Sequence, residues 1–288
     1  MTVRLLMASI LQQESLNFAL TNCFPRRLAT RLLGWFSKIE QPLVRGLSIA
    51  IWRFFCDVDL GEAKKQAFSS LRDCFIRELK DGARPVNQDP TVVVSPCDAI
   101  VGAYGPITGP DLLQIKASSY PLAELLRDGE LAEFYRGGCY VTLRLTAGMY
   151  HRFHAPHDCC VEQATHIWGD TWNVNPATLA RVEKVFCRNE RVVVRLRLKS
   201  GGQLLTLVPV AAILVAGIRL RFQDLIVDPR LSVPPVASLA VAFEKGQEMG
   251  WFEHGSTILV LAPAGLALSE TIRSGVNILM GEALMALS

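Results

Sequence analysis

No stretch of this chain is long enough to cross a bilayer. The best candidate, Leu204 to Ile218, is uncharged over 15 residues but contains Pro209, and a spanning helix needs roughly 20 apolar residues. Its wealth of Val, Ile and Leu points to buried strands instead. Charge is scarce too: Asp, Glu, Lys and Arg make up 20% of the 288 residues and the net charge is +3, which supplies no basic field for holding nucleic acid. The eight cysteines include no Cys-x-x-Cys pair, and the adjacent Cys159-Cys160 has no metal-ligand spacing. The thiols are therefore expected to be small buried apolar groups. The sequence does not open on a secretory leader with a small-residue cleavage site, so a reducing, cytosol-facing setting is the expectation. There is no internal repeat or low-complexity segment.

What is present begins with a basic, apolar lead-in. Over the first 53 residues the cations Arg4, Arg26, Arg27, Arg31, Lys38, Arg45 and Arg53 stand against only Glu14 and Glu40. Leu28, Leu32 and Trp35 fall on one face of a helix starting near Pro25, flanked by Arg27 and Arg31. Leu47, Ile51 and Phe54 repeat the spacing between Leu43 and Phe55. Such helices pack on a core or lie against an anionic membrane surface, and the two uses are compatible. Asp59 to Lys80 reads as a charged surface helix, ended by Lys80-Asp81-Gly82-Ala83-Arg84-Pro85. The expected division is a helical, basic-apolar membrane-docking region over residues 1–80 and a β-rich catalytic domain over 81–288.

Beyond Arg84 short β-rich runs alternate with Gly and Pro. Thr91–Ser95, Tyr140–Leu145, Arg191–Leu198 with a turn at Gly201-Gly202, Leu204–Leu220 and Leu239–Phe243 read as strands. Pro121–Arg127 and Asn175–Glu183 read as short helices. The fold class is α+β, a mostly antiparallel β core preceded by amphipathic helices. A further strand, Ile258–Ala262, follows a Gly-punctuated segment ending in His254-Gly255-Ser256-Thr257. Gly255 lacks a Cβ, so the Gly255–Ser256 bond can be approached closely.

Three features carry potential chemistry. Asp98 follows the first of these strands, His151-Arg152-Phe153-His154 follows Tyr140–Leu145, and Ser256 precedes Ile258. A His-x-x-His pair can ligate metal, but no second cluster with ligand spacing accompanies it, so no metal is assigned. An Asp, a His and a Ser at strand margins are the parts of a nucleophile, base and orienter. An ordinary turn at Gly255-Ser256 remains the plain alternative. A hydrolase acting on an external ester lacks its Gly-x-Ser-x-Gly, because Gly255-Ser256-Thr257-Ile258 does not reach a second glycine.

Taken in order, Phe75-Ile76-Arg77-Glu78-Leu79, Arg84-Pro85, Ser95-Pro96-Cys97-Asp98, Tyr150-His151-Arg152-Phe153-His154-Ala155-Pro156, Asn173-Val174-Asn175-Pro176, Arg188-Asn189-Glu190-Arg191-Val192, Lys245-Gly246-Gln247-Glu248-Met249-Gly250-Trp251-Phe252 and Gly255-Ser256-Thr257 resemble the phosphatidylserine decarboxylase family of prokaryotic type. The resemblance implies a proenzyme that cuts itself between Gly255 and Ser256 into a large chain (1–255) and a small chain (256–288). Ser256 would attack the Gly255 carbonyl, amide would become ester, and β-elimination with loss of ammonia would leave a pyruvoyl group on the new N-terminus. By motif His151 is the base, Asp98 its orienter and His154 a substrate-binding residue. The pyruvoyl cofactor would form an imine with the amine of phosphatidylserine and draw electrons as carbon dioxide leaves, yielding phosphatidylethanolamine. The implied partners are phosphatidylserine, an anionic membrane surface on the cytoplasmic face of the inner membrane, and a second copy in a homodimer. A pyruvoyl decarboxylase of a soluble amino acid and an unprocessed lipid-binding homologue stay open as alternatives. The sequence departs from the family in Ala99, where a glycine is common, in His254, where an aliphatic residue is common, and in lacking a glycine within Val208–Ala212.

Overall fold

The computed structural model describes residues 26–56, 58–109, 113–115, 118–212, 217–222, 240–253 and 256–287. Cys23, His254, Gly255 and everything ahead of Arg26 lie outside these residues. The described residues open on two helices, α1 (Arg26–Phe36) and α2 (Pro42–Cys56). Pro42 occupies the first turn of α2, where its missing N–H costs nothing, and the Gln41 side chain accepts the Val44 N–H at 2.7 Å. The apolar stripe read from the sequence forms but does not pack inward: Leu28, Leu32, Trp35, Leu43 and Leu47 all remain exposed. Ile49 and Trp52 of α2 pack instead on a small separate core of Ala63, Phe68 and Cys74.

The helix expected over Asp59–Lys80 is not there. A single turn, α3 (Leu71–Phe75), interrupts an extended loop. Ser70 caps it by accepting the Asp73 N–H at 3.1 Å. Backbone groups that a helix would use locally are paired across the loop, Lys64 N–H to the Glu78 carbonyl at 2.9 Å and Lys80 N–H to the Glu62 carbonyl at 2.8 Å. Asp59 further diverts the chain by accepting the Gly61 N–H at 2.7 Å, the local competition that disfavours helix at such residues.

The rest of the chain runs through β1 (Val92–Val94), β2 (Ala99–Pro106), β3 (Leu113–Ile115), β4 (Ser118–Tyr120), α4 (Leu122–Leu126), α5 (Gly129–Phe134), β5 (Cys139–Leu145), β6 (Arg152–His154) and β7 (Cys159–Ile167). It continues with α6 (Pro176–Leu179), α7 (Val185–Arg188), β8 (Arg191–Leu198), β9 (Leu204–Ala211), β10 (Ile218–Leu220), β11 (Val241–Phe243), β12 (Glu248–Phe252), β13 (Ser256–Ala262), β14 (Leu266–Leu268), β15 (Asn277–Ile278) and β16 (Ala283–Leu287). Eight strands form the main sheet in the order β11-β7-β8-β9-β13-β5-β2-β15, and two three-stranded sheets, β1-β16-β14 and β10-β12-β6, flank it. The pairings between named strands are antiparallel. This is an α+β protein with a mostly antiparallel β core.

The uncharged run from Leu204 enters the sheet interior as β9, buried at every position. Pro209 has no N–H to offer, and the pairing with β8 passes over it, from Arg191–Val210 to Val194–Leu207. The β8–β9 hairpin turns at Gly201 and Gly202, whose φ values of +76° and +67° suit glycine. β13 lies at the centre, in register with β5 from Ser256–Leu145 to Ala262–Cys139 and with β9 from Ser256–Ala211 to Leu261–Thr206. All seven of its residues are buried. Downstream of Ser256 the chain also supplies β15 to the β2 edge and β16 to β1, so the last segment is woven through strands of the preceding one.

Candidate active site

Ser256 is the first residue of the central strand. It is wholly buried, and among the described residues its Oγ has no hydrogen-bond partner. Burying a hydroxyl unpaired costs about 1–3 kcal/mol, so such a group in a well-paired sheet needs a reason. Ser256 borders a cavity of about 610 Å³. The helical lead-in contributes Leu33, Ile51, Phe55 and Phe75 to its walls, and the end of the sheet contributes Leu145 and Ala212. The hollow thus joins exposed apolar helices to the buried hydroxyl.

His151 is fully buried just ahead of β6. Its Nδ1 lies 2.8 Å from the Met149 carbonyl oxygen. A carbonyl only accepts, so Nδ1 carries the proton and Nε2 keeps the lone pair that a base requires. The imidazole stacks on Phe75 with centroids 4.0 Å apart at 36°, and Phe75 lines the Ser256 cavity. Phe75 therefore links the histidine to the serine's surroundings.

His154 sits in a different setting. Its Nδ1 donates to the Gly246 carbonyl at 2.8 Å, which leaves Nε2 to accept the Tyr150 hydroxyl at 3.0 Å. Burial pushes its pKa below the usual 6.5, against the opposing influence of the Gly246 carbonyl and the carboxylates of Glu248 and Asp98. Burial likewise pushes the Tyr150 phenol well up, so both partners are neutral near pH 7. Arg152, between the histidines, donates from Nη1 to Glu248 at 2.9 and 2.8 Å and from Nη2 to the Ile76 carbonyl at 2.7 Å.

Asp98 does not hydrogen-bond to His151. Its carboxylate is clasped by Arg84, Nε to Oδ1 at 2.9 Å and Nη2 to Oδ2 at 2.7 Å, and it accepts the Met280 N–H at 2.9 Å. The orienting contact on His151 comes from Met149. The geometric reason is local: His151 and His154 are three residues apart on extended backbone, and an odd separation sends side chains to opposite faces. The chain thus brings His151 and Ser256 toward one cavity through Phe75, and gathers Asp98, Arg84, His154 and Tyr150 on another side. The departure at Ala99 is accommodated, because Ala99 begins extended strand β2 and is fully buried. Val208–Ala211 likewise fill buried strand positions without a glycine, and Ala212 is buried just beyond them.

Sequence reasoning passed over Glu253. It is 1% exposed, paired with Arg72 of α3 and 3.5 Å from Arg219, and it lies three residues before Ser256. A carboxylate between Phe252 and His254 in an otherwise apolar segment is the signal that could have found it. Among the described residues no group of three or more His, Cys, Asp or Glu is arranged to hold a metal ion.

The profile of the family described as phosphatidylserine decarboxylase matches residues 71–286. A phosphatidylserine decarboxylase proenzyme of Aliivibrio salmonicida is 36% identical over 282 aligned positions, covering 93% of this chain and 96% of the relative. The proenzyme of the same description from Photobacterium profundum is 36% identical over 263 positions, covering 87% and 89%. That of Haemophilus influenzae is 33% identical over 277 positions, covering 91% and 95%. With its β core and its buried serine at a strand mouth, the chain falls in the class of carboxy-lyases. It belongs to the phosphatidylserine decarboxylase family, whose reaction converts phosphatidylserine to phosphatidylethanolamine and carbon dioxide.

Proposed function

We propose that this chain is a self-processing phosphatidylserine decarboxylase whose cofactor is a pyruvoyl group made from Ser256. The observation that carries the reading is the buried, unpaired Oγ of Ser256 at the head of the central strand. Attack of that oxygen on the Gly255 carbonyl carbon converts the peptide bond to an ester and passes the hydroxyl proton to a base. Removal of the Ser256 α-proton then breaks the Cβ–O bond and releases residues 1–255 with a free carboxylate. Hydrolysis of the remaining enamine nitrogen as ammonia leaves the carbonyl on residue 256. The site fits such a group, since the position is buried, lies against an apolar cavity, and holds among the described residues no hydrogen bond that the lost hydroxyl would leave broken. The group supplies an electron-withdrawing carbonyl that takes up the substrate amine and accepts the electrons released with carbon dioxide.

The protein's own residues do the rest. His151, with its lone pair on Nε2, takes the proton from Ser256 and returns one to carbon after carbon dioxide leaves. His154 positions the substrate. A second assignment is favoured by Arg84, which clasps Asp98 and lines one cavity with Tyr150 and His154: cleavage then runs through His154 and carbon protonation through His151. Residues 1–80 form the docking region and 81–288 the catalytic domain. The exposed apolar stripes of α1 and α2, beside Arg31, Arg45 and Arg53, suit an anionic headgroup layer, so the protein works as a peripheral protein on the cytoplasmic face of the inner membrane. It does so as a homodimer of two-chain subunits. Purified protein should run as two fragments and release carbon dioxide from phosphatidylserine vesicles. A Ser256→Ala variant that still splits at this bond would sink the mechanism.

A further inference from the structure

Arg144 is a cation without a counterion. It sits on β5 directly opposite Thr257 of β13, half-buried, and burial pushes its pKa below the ordinary value with no carboxylate acting against that. Among the described residues nothing donates to, accepts from or pairs with its guanidinium. Arg191, deeper in the core, is by contrast satisfied: it donates to the carbonyls of Leu125, Cys187, Asn189 and Glu124. A half-buried guanidinium with no anion beside it has given up part of its hydration without gaining a partner.

A second, independent feature lies beside it. Thr257 is 1% exposed, and its Oγ1 is buried with no partner among the described residues. Both side chains line a cavity of about 250 Å³, together with Thr142, Phe186 and Ser274. Arg144 and Val174 also line the larger cavity of Ser256, so the two hollows adjoin at these residues. A cation and an idle hydroxyl converging on one small hollow make an oxyanion site. Thr257 follows Ser256 on β13, so their side chains face opposite sides, and Arg144, which lines both hollows, is the residue that joins them.

We propose that Arg144 and Thr257 form the subsite that holds the phosphodiester of the lipid headgroup while the serine end reacts at residue 256. The proposal rests on the decarboxylase reading. The substrate carries two anions, and the energetics of the reaction choose between them. A cation on the carboxylate would stabilise the ground state and lose its partner as carbon dioxide departs, opposing the reaction. A cation on the phosphodiester keeps its partner throughout, so its binding energy is retained from substrate to product.

The test uses the processed protein and three variants, Arg144→Gln, Arg144→Lys and Thr257→Val. Two measurements are made: KM and kcat on short-chain phosphatidylserine, and calorimetric binding of dihexanoyl phosphatidylcholine, which has the phosphodiester but neither carboxylate nor reactive amine. Arg144→Gln should weaken phosphatidylcholine binding and raise KM together by about tenfold to a hundredfold, with a smaller change in kcat. Arg144→Lys should recover part of the loss and Thr257→Val should lose several-fold. Appearance of the two fragments in each variant shows that it has folded. Unchanged phosphatidylcholine affinity in Arg144→Gln overturns the proposal, whether or not KM rises. Equal affinity for inorganic phosphate alone also overturns it, since the site would then be a free-phosphate site. Wild-type protein that neither splits nor decarboxylates defeats the functional reading, while the phosphatidylcholine titration still decides the subsite.

Discussion

The exposed apolar faces of α1 and α2 allow membrane docking to be tested separately from catalysis. Trp35 is 67% and Leu47 65% exposed, so about a third of each side chain is already buried in the fold. Fully burying such a side chain is worth about 1.5–3 kcal/mol, and moving the remaining two thirds into a headgroup layer returns about 1–2 kcal/mol each. Replacing both by alanine should weaken partitioning onto phosphatidylserine-containing vesicles by about 2–4 kcal/mol, roughly thirtyfold to several hundredfold. Because the side chains face outward, the melting temperature should move little. Cosedimentation over a range of lipid concentration measures the partitioning, and a detergent-solubilised short-chain substrate separates docking from chemistry. Activity on that substrate should hold while activity on vesicles falls with binding. Unchanged partitioning of the double variant would refute the argument that these helices are the docking surface.

Ser256→Ala should stay a single 288-residue chain by intact mass. His151→Ala and His154→Ala, scored separately for cleavage and for carbon dioxide release, divide the two proton transfers: His151→Ala losing both favours the first assignment, and His154→Ala alone blocking cleavage favours the second. Burial holds the folded-state pKa of His154 below 6.5, so its contribution to stability is complete above that pH and is lost as pH falls through the folded value. The melting temperature should drop on acidification below 6.5, and His154→Gln should flatten that drop. Glu253→Gln leaves Arg72 and Arg219 facing a neutral amide. Because both arginines are partly exposed, the cost should be about 1–3 kcal/mol in urea unfolding, accompanied by slower fragment formation in a pulse-chase.

Much of the sheet was legible. Arg191–Leu198 reads as a strand and is one, with the same limits, because alternation encodes burial directly. The helices α1 and α2 follow from their 3.6-residue spacing. The failure at Asp59–Lys80 has a non-local cause, since the pairings of Lys64 with Glu78 and of Lys80 with Glu62 close over more than ten residues. At the site, motif order singled out Ser256, His151, His154 and Asp98 as candidates but carried nothing about which of them meet. Asp98 meets Arg84 and Met280, partners 14 and 182 residues away in sequence. Arg144 was hidden by its surroundings, a lone cation at one position of an apolar strand that reads as an ordinary surface face of the alternation.

The central position of β13 gives the protein a history. While the chain is continuous, bringing Ser256–Ala262 between β5 and β9 is a search within one molecule. Were the bond before Ser256 opened as proposed, the same arrangement could be regained only by two separate polypeptides meeting, one of them with β13 as its core strand and β15 and β16 threaded against β2 and β1. A two-chain form of that kind would be kept by its barrier to unfolding, not by a reversible equilibrium. A denatured molecule would then be lost, and the working lifetime of the enzyme would be set by how rarely that middle strand comes free.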